Sequence, residues 1–223
     1  MKIVFISDTH GKHDILTSKA YNILGEADIL VHAGDCTNVG KTHEIKDFLD
    51  WFSNTPFTHK IFIAGNHDFG FEKNHDIDQE YKDKGVHYLF DSSVEIEGIK
   101  FYGSPWQPEF YDWAFNLPRG EKLAEKWAKI PEDSDIVITH GPAYGMVDNT
   151  IQSINVGCHD LFHRLMKVKP KIHACGHIHW SYGQKSFNGI EFLNASTLNE
   201  RYEYENKPIV IEFNPETKEI DYL

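Results

Sequence analysis

The sequence Lys171-Ile172-His173-Ala174-Cys175-Gly176-His177-Ile178-His179 joins a short apolar segment to two histidines that stand two residues apart. The apolar part predicts a buried strand over residues 171–175. Neutral imidazole is the commonest protein metal ligand. The two rings converge on one small volume whether the strand continues through them or ends at Gly176. Taken alone, this motif is more often a pair of solvated surface histidines than a metal site. Evidence for a metal site must therefore come from other parts of the chain.

Four other predicted apolar strands end in the same way. They are residues 2–6, 28–33, 59–64 and 135–139, and the polar residues that follow them are, in turn, Asp8 and His10, Asp35, Asn66 and His67, and His140. A glycine stands beside each group, as turns often require. Histidine has no special role in turns, so turn chemistry alone does not explain five such ends.

The order of helices and strands indicates where these ends meet. Helices predicted at residues 12–25 and 42–53, the second capped by Thr42, alternate with the first three strands. Such β-α-β alternation is typical of a parallel sheet covered by helices, in which ligands bind beyond the carboxyl ends of the strands. Near the end of the chain, Asn188-Gly189 separates two short strands and predicts a hairpin, so a second or mixed sheet is expected.

The middle of the chain is less regular. A polar loop with a short helix is predicted at residues 71–85. Strands are predicted at residues 86–89 and 93–102, the second of which turns at Glu97-Gly98. A loop rich in aromatic residues follows at 104–118, and helices are predicted at 119–129 and 158–168. A further strand is expected at residues 208–213. No repeat, linker or low-complexity run interrupts the chain, so a single domain over residues 1–223 is predicted.

Composition limits the function classes. The chain has 223 residues and a formal net charge of −12. That charge disfavours extended nucleic acid and anionic membranes as partners, since both need basic stripes. The three cysteines form no disulfide framework, and no apolar run reaches the length of a signal peptide or a membrane span. We therefore expect a cytoplasmic protein with a small-molecule substrate; the oligomeric state stays open.

The polar strand ends predict a metal site. Their carboxylate, amide and imidazole groups suit manganese, iron or zinc better than calcium or magnesium. Their number exceeds one coordination sphere and fits two ions that share a carboxylate. Two divalent ions carry four positive charges, of which two carboxylates and a bridging hydroxide would cancel three. A small positive pocket of this kind attracts phosphate, and two such ions can generate a hydroxide nucleophile for an in-line displacement.

The motifs Asp8-x-His10, Gly34-Asp35, Gly65-Asn66-His67-Asp68, His140-Gly141 and Gly176-His177-x-His179 together resemble the signature of calcineurin-like metallophosphoesterases. Finer features are similar to the metallophosphoesterase-domain-containing (MPPED-type) phosphodiesterase branch: Ser7-Asp8-Thr9-His10-Gly11, Ile63-Ala64-Gly65-Asn66-His67, Gly103-Ser104-Pro105-Trp106, residues 115–120 and Asn194-Ala195-Ser196. The resemblance implies a four-layer α/β/β/α sandwich with two mixed β-sheets and a dinuclear metal site.

The resemblance also implies a role for each matched residue. Asp8, His10 and His179 would hold one metal ion, Asn66, His140 and His177 the other, and Asp35 would bridge them. Manganese is the metal best suited to activity in vitro. His67 would contact the phosphate beside Asn66 and protonate the leaving alkoxide as general acid. Some animal members have glycine in place of His177, which is linked to weak activity; here the histidine is present.

Several assignments leave two interpretations open. Asp68 would either orient His67 or cap a helix, and Arg119 would either pair with the substrate phosphate or lie on the surface at a helix start. Aromatic residues of the 104–118 loop would either stack on a nucleobase or fill the core; they are Trp106, Tyr111, Trp113 and Phe115.

The expected function is a dinuclear-metal-dependent phosphodiesterase that acts on small phosphodiesters, with cyclic nucleotides among the candidates, by attack of a metal-bridging hydroxide. A phosphomonoesterase or protein phosphatase could use the same site. A metal-binding scaffold with little activity is the alternative outside enzymes, and it would predict missing ligands.

Overall fold

Strand β1 (Lys2–Ile6) is buried on both faces because its apolar side chains alternate between two layers. Ile3 and Phe5 face the interior between two sheets, where they pack among residues of both. Val4 and Ile6 point the other way, toward the side chains of a covering helix. Strand side chains alternate with period two, so a continuous apolar run fits a strand that is covered on both sides. These observations come from a computed structural model, which describes residues 1–17, 27–77 and 79–223.

The first sheet has six strands in the order β14-β13-β1-β2-β3-β4. Its parallel strands are β1, β2 (Ile29–Ala33), β3 (His59–Ile63) and β4 (Val86–Tyr88). The antiparallel strands β13 (Ile209–Phe213) and β14 (Ile220–Tyr222) complete one edge. The sheet is therefore mixed, and its parallel strands share one carboxyl edge.

The second sheet has the order β11-β12-β10-β9-β6-β5. Its four central strands run parallel: β6 (Ile99–Ser104), β9 (Ile136–Thr139), β10 (Ile172–Cys175) and β12 (Ile190–Asn194). The antiparallel strands β5 (Ser92–Ile96) and β11 (Gly183–Phe187) form its two edges. The short pair β7 (Gln107–Pro108) and β8 (Asn116–Leu117) lies apart from both sheets.

Helices cover the outer face of each sheet. Helix α2 (Thr42–Ser53) packs Phe48 and Phe52 against the first sheet. Helices α4 (Glu121–Trp127) and α5 (His159–Val168) contribute Trp127 and Leu161 to the apolar layer on the second sheet. The other helices within residues 1–17, 27–77 and 79–223 are α1 (Asp14–Thr17), α3 (Phe69–Lys73) and short 3-10 helices at Gln79–Lys84 and His179–Ser181. The predicted α/β/β/α sandwich with two mixed sheets is confirmed.

Some predicted elements differ in extent. Of the helix predicted at residues 12–25, the structure describes only α1; the part from residue 18 onward falls outside the described residues. Thr42, predicted as a cap, is the first residue of α2, and Lys41 takes the N-cap position. Strand β14 was not predicted. None of the helices in the described ranges has the length and apolar character that a membrane crossing requires.

The two sheets meet at their carboxyl edges. Ser7, directly after β1, forms a parallel bridge with Ser196, which follows β12. The amide of Thr197 donates a hydrogen bond of 2.9 Å to the carbonyl of Ser7. The loops that follow the parallel strands of both sheets are therefore held at one place.

Candidate metal centre

The carboxylate of Asp8 lies where the sheets meet. It is fully buried. It accepts hydrogen bonds from the amide of His177, at 3.0 and 3.1 Å to its two oxygens, and from the hydroxyl of Ser196 at 2.9 Å. The Nε2 atom of His179 lies 3.6 Å from the same carboxylate. Asp8 of the first sheet therefore contacts two histidines that follow β10 of the second.

The carboxylate of Asp35 lies between further imidazoles. One oxygen accepts a 2.8 Å hydrogen bond from the amide of His67. The other lies 3.3 Å from Nε2 of His140 and 3.7 Å from Nε2 of His10. Burial alone would raise the pKa of Asp35, but the neighbouring His140 ring holds it well below its usual range. Asp35 is therefore a carboxylate and sits where a bridging ligand would.

Three of the site histidines use the same hydrogen bond to fix their rings. In each, Nδ1 lies within hydrogen-bond distance of a backbone carbonyl: His67 with Asn38 at 2.7 Å, His140 with Ala33 at 3.0 Å and His179 with Leu198 at 2.7 Å. A carbonyl only accepts, so Nδ1 carries a proton in each ring, and Nε2 is left either with a lone pair or with a second proton. Metal-ligating histidines are usually oriented in this way.

His10 has no such partner. Its side chain is buried, and both ring nitrogens lack a hydrogen-bond partner among the described residues. Burial lowers the pKa of His10 to about 4, so the ring is neutral near pH 7. A buried nitrogen without a partner is costly. A metal ion beside Asp8 and Asp35 would satisfy this lone pair, and the site fits such an ion.

The pKa of His140 is shifted upward, opposite to that of His10, and this shift also indicates that the site requires a cation. Burial alone would lower the pKa of this ring, but Asp35 raises it to about 9. With Nδ1 held by Ala33, Nε2 points toward the Asp35 carboxylate and toward Oδ1 of Asn66, which is 3.0 Å away. Three electron-rich atoms converge there, so either a proton or a metal cation must lie among them.

The possible ligand atoms form three overlapping groups, each within 4.8 Å: Asp8 with His10 and His179; Asp35 with His140 and His177; and His10 with Asp35 and His67. The first two correspond to the two predicted metal positions, with Asp35 at the junction. Asn66 joins the second through His140. The structure therefore brings together all the predicted ligands, while their roles as ligands stay predictions.

Two glycines allow the loops to approach this closely. A Cβ on Gly176 would overlap the Asp8 carboxylate and the Ser7 hydroxyl. A Cβ on Gly65 would overlap Asp35. Both positions therefore exclude any side chain, which explains why glycine precedes the ligand residues in these two motifs.

Asp68 stands at the N-cap position of α3, as one of the two predictions has it, but its side chain plays neither predicted role. Its carboxylate makes no capping bond to α3, and Nδ1 of His67 is held by the Asn38 carbonyl instead. The buried carboxylate accepts hydrogen bonds from the amides of Cys36, Thr37 and Gly65 and from the Thr37 hydroxyl. Asp68 therefore fastens the loop after β2 to the loop after β3.

Arg119 is also placed differently from the predicted phosphate contact. Its guanidinium donates hydrogen bonds of 2.7 Å to the carbonyls of Gly157 and Val156. These bonds hold the start of α4 to the segment before α5. Because both terminal nitrogens of the guanidinium donate to backbone carbonyls, the geometry does not support a contact between Arg119 and the substrate phosphate.

The aromatic residues of the 104–118 loop divide by position. Phe115 is fully buried, and Trp106 packs against the apolar layers, so both are core residues. Tyr111 is exposed against Phe110. Trp113 stacks on His67 with ring centroids 4.1 Å apart, which places it at the site as a support for that imidazole.

Several residues at the site have structural roles that the sequence patterns do not predict. The amide of Asn194 donates to the carbonyls of Gly176 and Ile178, and its oxygen accepts from the amide of Ser196. Tyr202 packs edge-on against His10 at a centroid distance of 4.6 Å. The motif Asn194-Ala195-Ser196 was visible in the sequence, whereas no local pattern marks Tyr202.

Comparisons with known proteins agree with this geometry. A family model described as calcineurin-like phosphoesterase matches residues 1–181. Metallophosphoesterase domain-containing protein 1 of Homo sapiens is 38% identical over 235 residues, covering 95% of this chain and 70% of that protein. UPF0046 protein K07C11.7 of Caenorhabditis elegans is 35% identical over 225 residues, covering 94% and 74%.

Among solved structures, TT1561 of Thermus thermophilus matches with a TM-score of 0.66 and 14% identity, covering 99% of this chain and 97% of that chain. GAP50 of Plasmodium matches with a TM-score of 0.51 and 10% identity, covering 100% and 88%. At these identities the matches bear on the fold alone.

The overlap at Gly176 predicts a metal-binding defect. Replacing Gly176 by Ala should displace Asp8 and weaken binding of Mn²⁺ by about 10- to 100-fold, as loss of a supporting contact typically does. Gly141→Ala is the matched control, because its Cβ would meet Gln107 only at an ordinary 3.4 Å. Calorimetric titration of metal-free protein measures both. Equal affinities in the two variants would contradict the role given to Gly176.

The contacts of Asp68 predict a stability defect. Asp68→Ala should lower the free energy of unfolding by about 3 kcal/mol or more, since it leaves several buried donors without an acceptor. The exposed Asp112→Ala should change it by less than about 0.5 kcal/mol. Urea unfolding checks both. Unchanged stability with reduced turnover would instead restore a catalytic role for Asp68.

Proposed function

This chain belongs to the calcineurin-like phosphoesterase family and is a metal-dependent phosphoesterase, and we propose that it is a dinuclear phosphodiesterase acting on small phosphodiesters. One observation carries the proposal: imidazole Nε2 atoms from both sheets converge on the buried carboxylates of Asp8 and Asp35. The motifs shared with the MPPED-type phosphodiesterase branch favour a diester, and cyclic nucleotides are the first substrates to screen.

We assign the ligands by the groups in which their atoms approach one another. Asp8, His10 and His179 would hold one ion, Asp35 would bridge, and the second ion would be held by Asn66, His140 and His177. When bound, two divalent ions would activate the attacking water and neutralise charge that develops on the phosphoryl oxygens. The nitrogen and oxygen donors favour manganese, iron or zinc, and manganese is proposed for activity in vitro.

His67 would supply the proton that the leaving group needs. Because its Nδ1–H donates to the Asn38 carbonyl, Nε2 is the nitrogen left to carry and deliver a proton. Stacking on Trp113 and the edge contact with His10, at 4.6 Å, restrict the ring further. The departing alkoxide takes the proton from Nε2 of the protonated ring as the P–O ester bond breaks, and it leaves as an alcohol. The oxygen of the attacking water forms the new bond to phosphorus, and the proton that this water releases returns to the ring by way of solvent.

The direct test compares a chromogenic diester, bis(4-nitrophenyl) phosphate, with the monoester 4-nitrophenyl phosphate. Chelated protein should hydrolyse neither, and protein reconstituted with Mn²⁺ should turn over the diester faster than the monoester. A monoester preference would replace the proposal with a phosphatase. No turnover of either substrate by protein with two bound ions would indicate a binding protein.

The bridging role of Asp35 predicts a change in metal content. Asp35→Asn keeps the size of the side chain and an oxygen that can accept from the His67 amide, but it removes the charge. The variant should retain fewer than two Mn²⁺ ions per chain after gel filtration. Asp148→Asn, which also removes a buried carboxylate but at a different loop, should retain two. Two ions in both variants would contradict the bridging assignment.

The acid role of His67 predicts a dependence on the leaving group. His67→Ala should slow diesters with alkyl leaving groups by about 100-fold or more, because such alkoxides need a proton. Diesters of 4-nitrophenol should be affected much less, since that phenolate departs without one. Metal content should be unchanged. Equal losses on both kinds of diester would exclude His67 as the general acid.

A further inference from the structure

We infer that a cavity beside the metal centre binds a neutral, planar ester group of the substrate, the one that phosphorus retains after hydrolysis. This inference rests on the proposed diesterase activity. The cavity has a volume of about 290 Å³, and its walls include His177, His179, Ile151, Trp180, Tyr202 and Glu200. We call it the retained-group cavity.

The retained-group cavity is continuous with the proposed reaction site. Two of its wall residues, His177 and His179, are assigned to different metal ions. A phosphate held between those ions would therefore lie at the mouth of the cavity. One substituent of a diester could enter it without any change in the fold.

The walls favour a planar apolar occupant. Trp180 and Ile151 are 56% and 58% exposed, and Tyr202 is 39% exposed. Large apolar side chains grouped around one opening are typical of a ligand site. An indole and a phenol ring provide faces on which an aryl group or a nucleobase can stack.

Charge restricts the occupant further. Among the wall residues, Glu200 is the acidic one, and it is exposed to solvent. Its carboxylate would repel a second phosphate or another anion on the same substituent. The cavity therefore suits a neutral ring and disfavours a group that carries its own negative charge.

The position of His67 decides which ester group enters. His67 and Trp113 do not line the cavity. The His10 ring contacts His67 at 4.6 Å and stacks with His179 at 5.5 Å, and His67 approaches the cavity wall itself only edge-on at Tyr202, with ring centroids 6.5 Å apart. The oxygen of a leaving alkoxide must face His67 to receive its proton. The substituent in the cavity is consequently the one that remains on phosphorus.

The test uses two diesters with the same leaving group, phenyl 4-nitrophenyl phosphate and methyl 4-nitrophenyl phosphate. Trp180→Ala and Ile151→Ser should each lower kcat/KM for the phenyl diester more than for the methyl diester. The phenyl-to-methyl ratio should fall on the order of tenfold relative to the parent protein, within the range for losing apolar pocket contacts. Phe187→Ala removes another exposed aromatic group, outside the cavity, and should leave the ratio unchanged.

Two further measurements separate this role from damage to the metal centre. Calorimetry should show that Trp180→Ala and Ile151→Ser weaken phenylphosphonate binding more than methylphosphonate binding, at equal metal content. Glu200→Gln should raise kcat/KM for a diester whose retained group is 4-carboxyphenyl, and not for the phenyl diester.

The possible failures are distinct. If the parent protein with two bound ions hydrolyses neither diester, the proposed function fails. If it hydrolyses both and the phenyl-to-methyl ratio is the same in all variants, the retained-group cavity is wrong. A third series would keep the retained group constant and vary the leaving group. If Trp180→Ala and Ile151→Ser change the relative kcat/KM values in that series instead, the cavity binds the leaving group and the inference is overturned.

Discussion

The buried carboxylate of Asp8 is the contact on which the arrangement of both sheets depends. It follows the central strand of the first sheet, and it accepts hydrogen bonds from residues that follow two strands of the second, His177 and Ser196. A buried carboxylate is costly unless donors or cations compensate it. Asp35, almost as fully buried, has the same requirement. The carboxyl edges of the sheets can therefore meet only where amides, imidazoles and metal ions surround these two charges.

The backbone around the two carboxylates is held in an uncommon conformation. Asp8, His10, Asp35 and His177 all have positive φ, between 44° and 68°. Such conformations cost of order 1 kcal/mol or more each and persist when surrounding structure fixes them. Here the parallel strands fix the start of each loop, and Asp68 ties two of the loops together. This backbone conformation directs the side chains toward one point. The stability of the rest of the sandwich offsets its cost, and the metal site is thereby preorganised.

The fold, and the residues that the structure brings together, could be predicted from the sequence, because both depend on patterns that recur along the chain. Five apolar runs that end in glycine and polar residues predicted parallel strands with a shared carboxyl edge. All five are parallel strands, but three lie in one sheet and two in the other, and the carboxyl edges of the two sheets adjoin. The roles of Asp68 and Arg119 could not be predicted in the same way. Each role depends on backbone groups of another loop. The amide of Thr37 donates to the Asp68 carboxylate, and the carbonyl of Val156 accepts from the Arg119 guanidinium.

The central claim, that strand ends of both sheets form one site for two ions, is tested most directly by crystals of the protein grown with Mn²⁺. Anomalous diffraction at the manganese edge should give two peaks per chain. Both should adjoin Asp35, with His10 and His179 at one peak and His140 and His177 at the other. A single peak, or two peaks that do not share Asp35, would contradict the account.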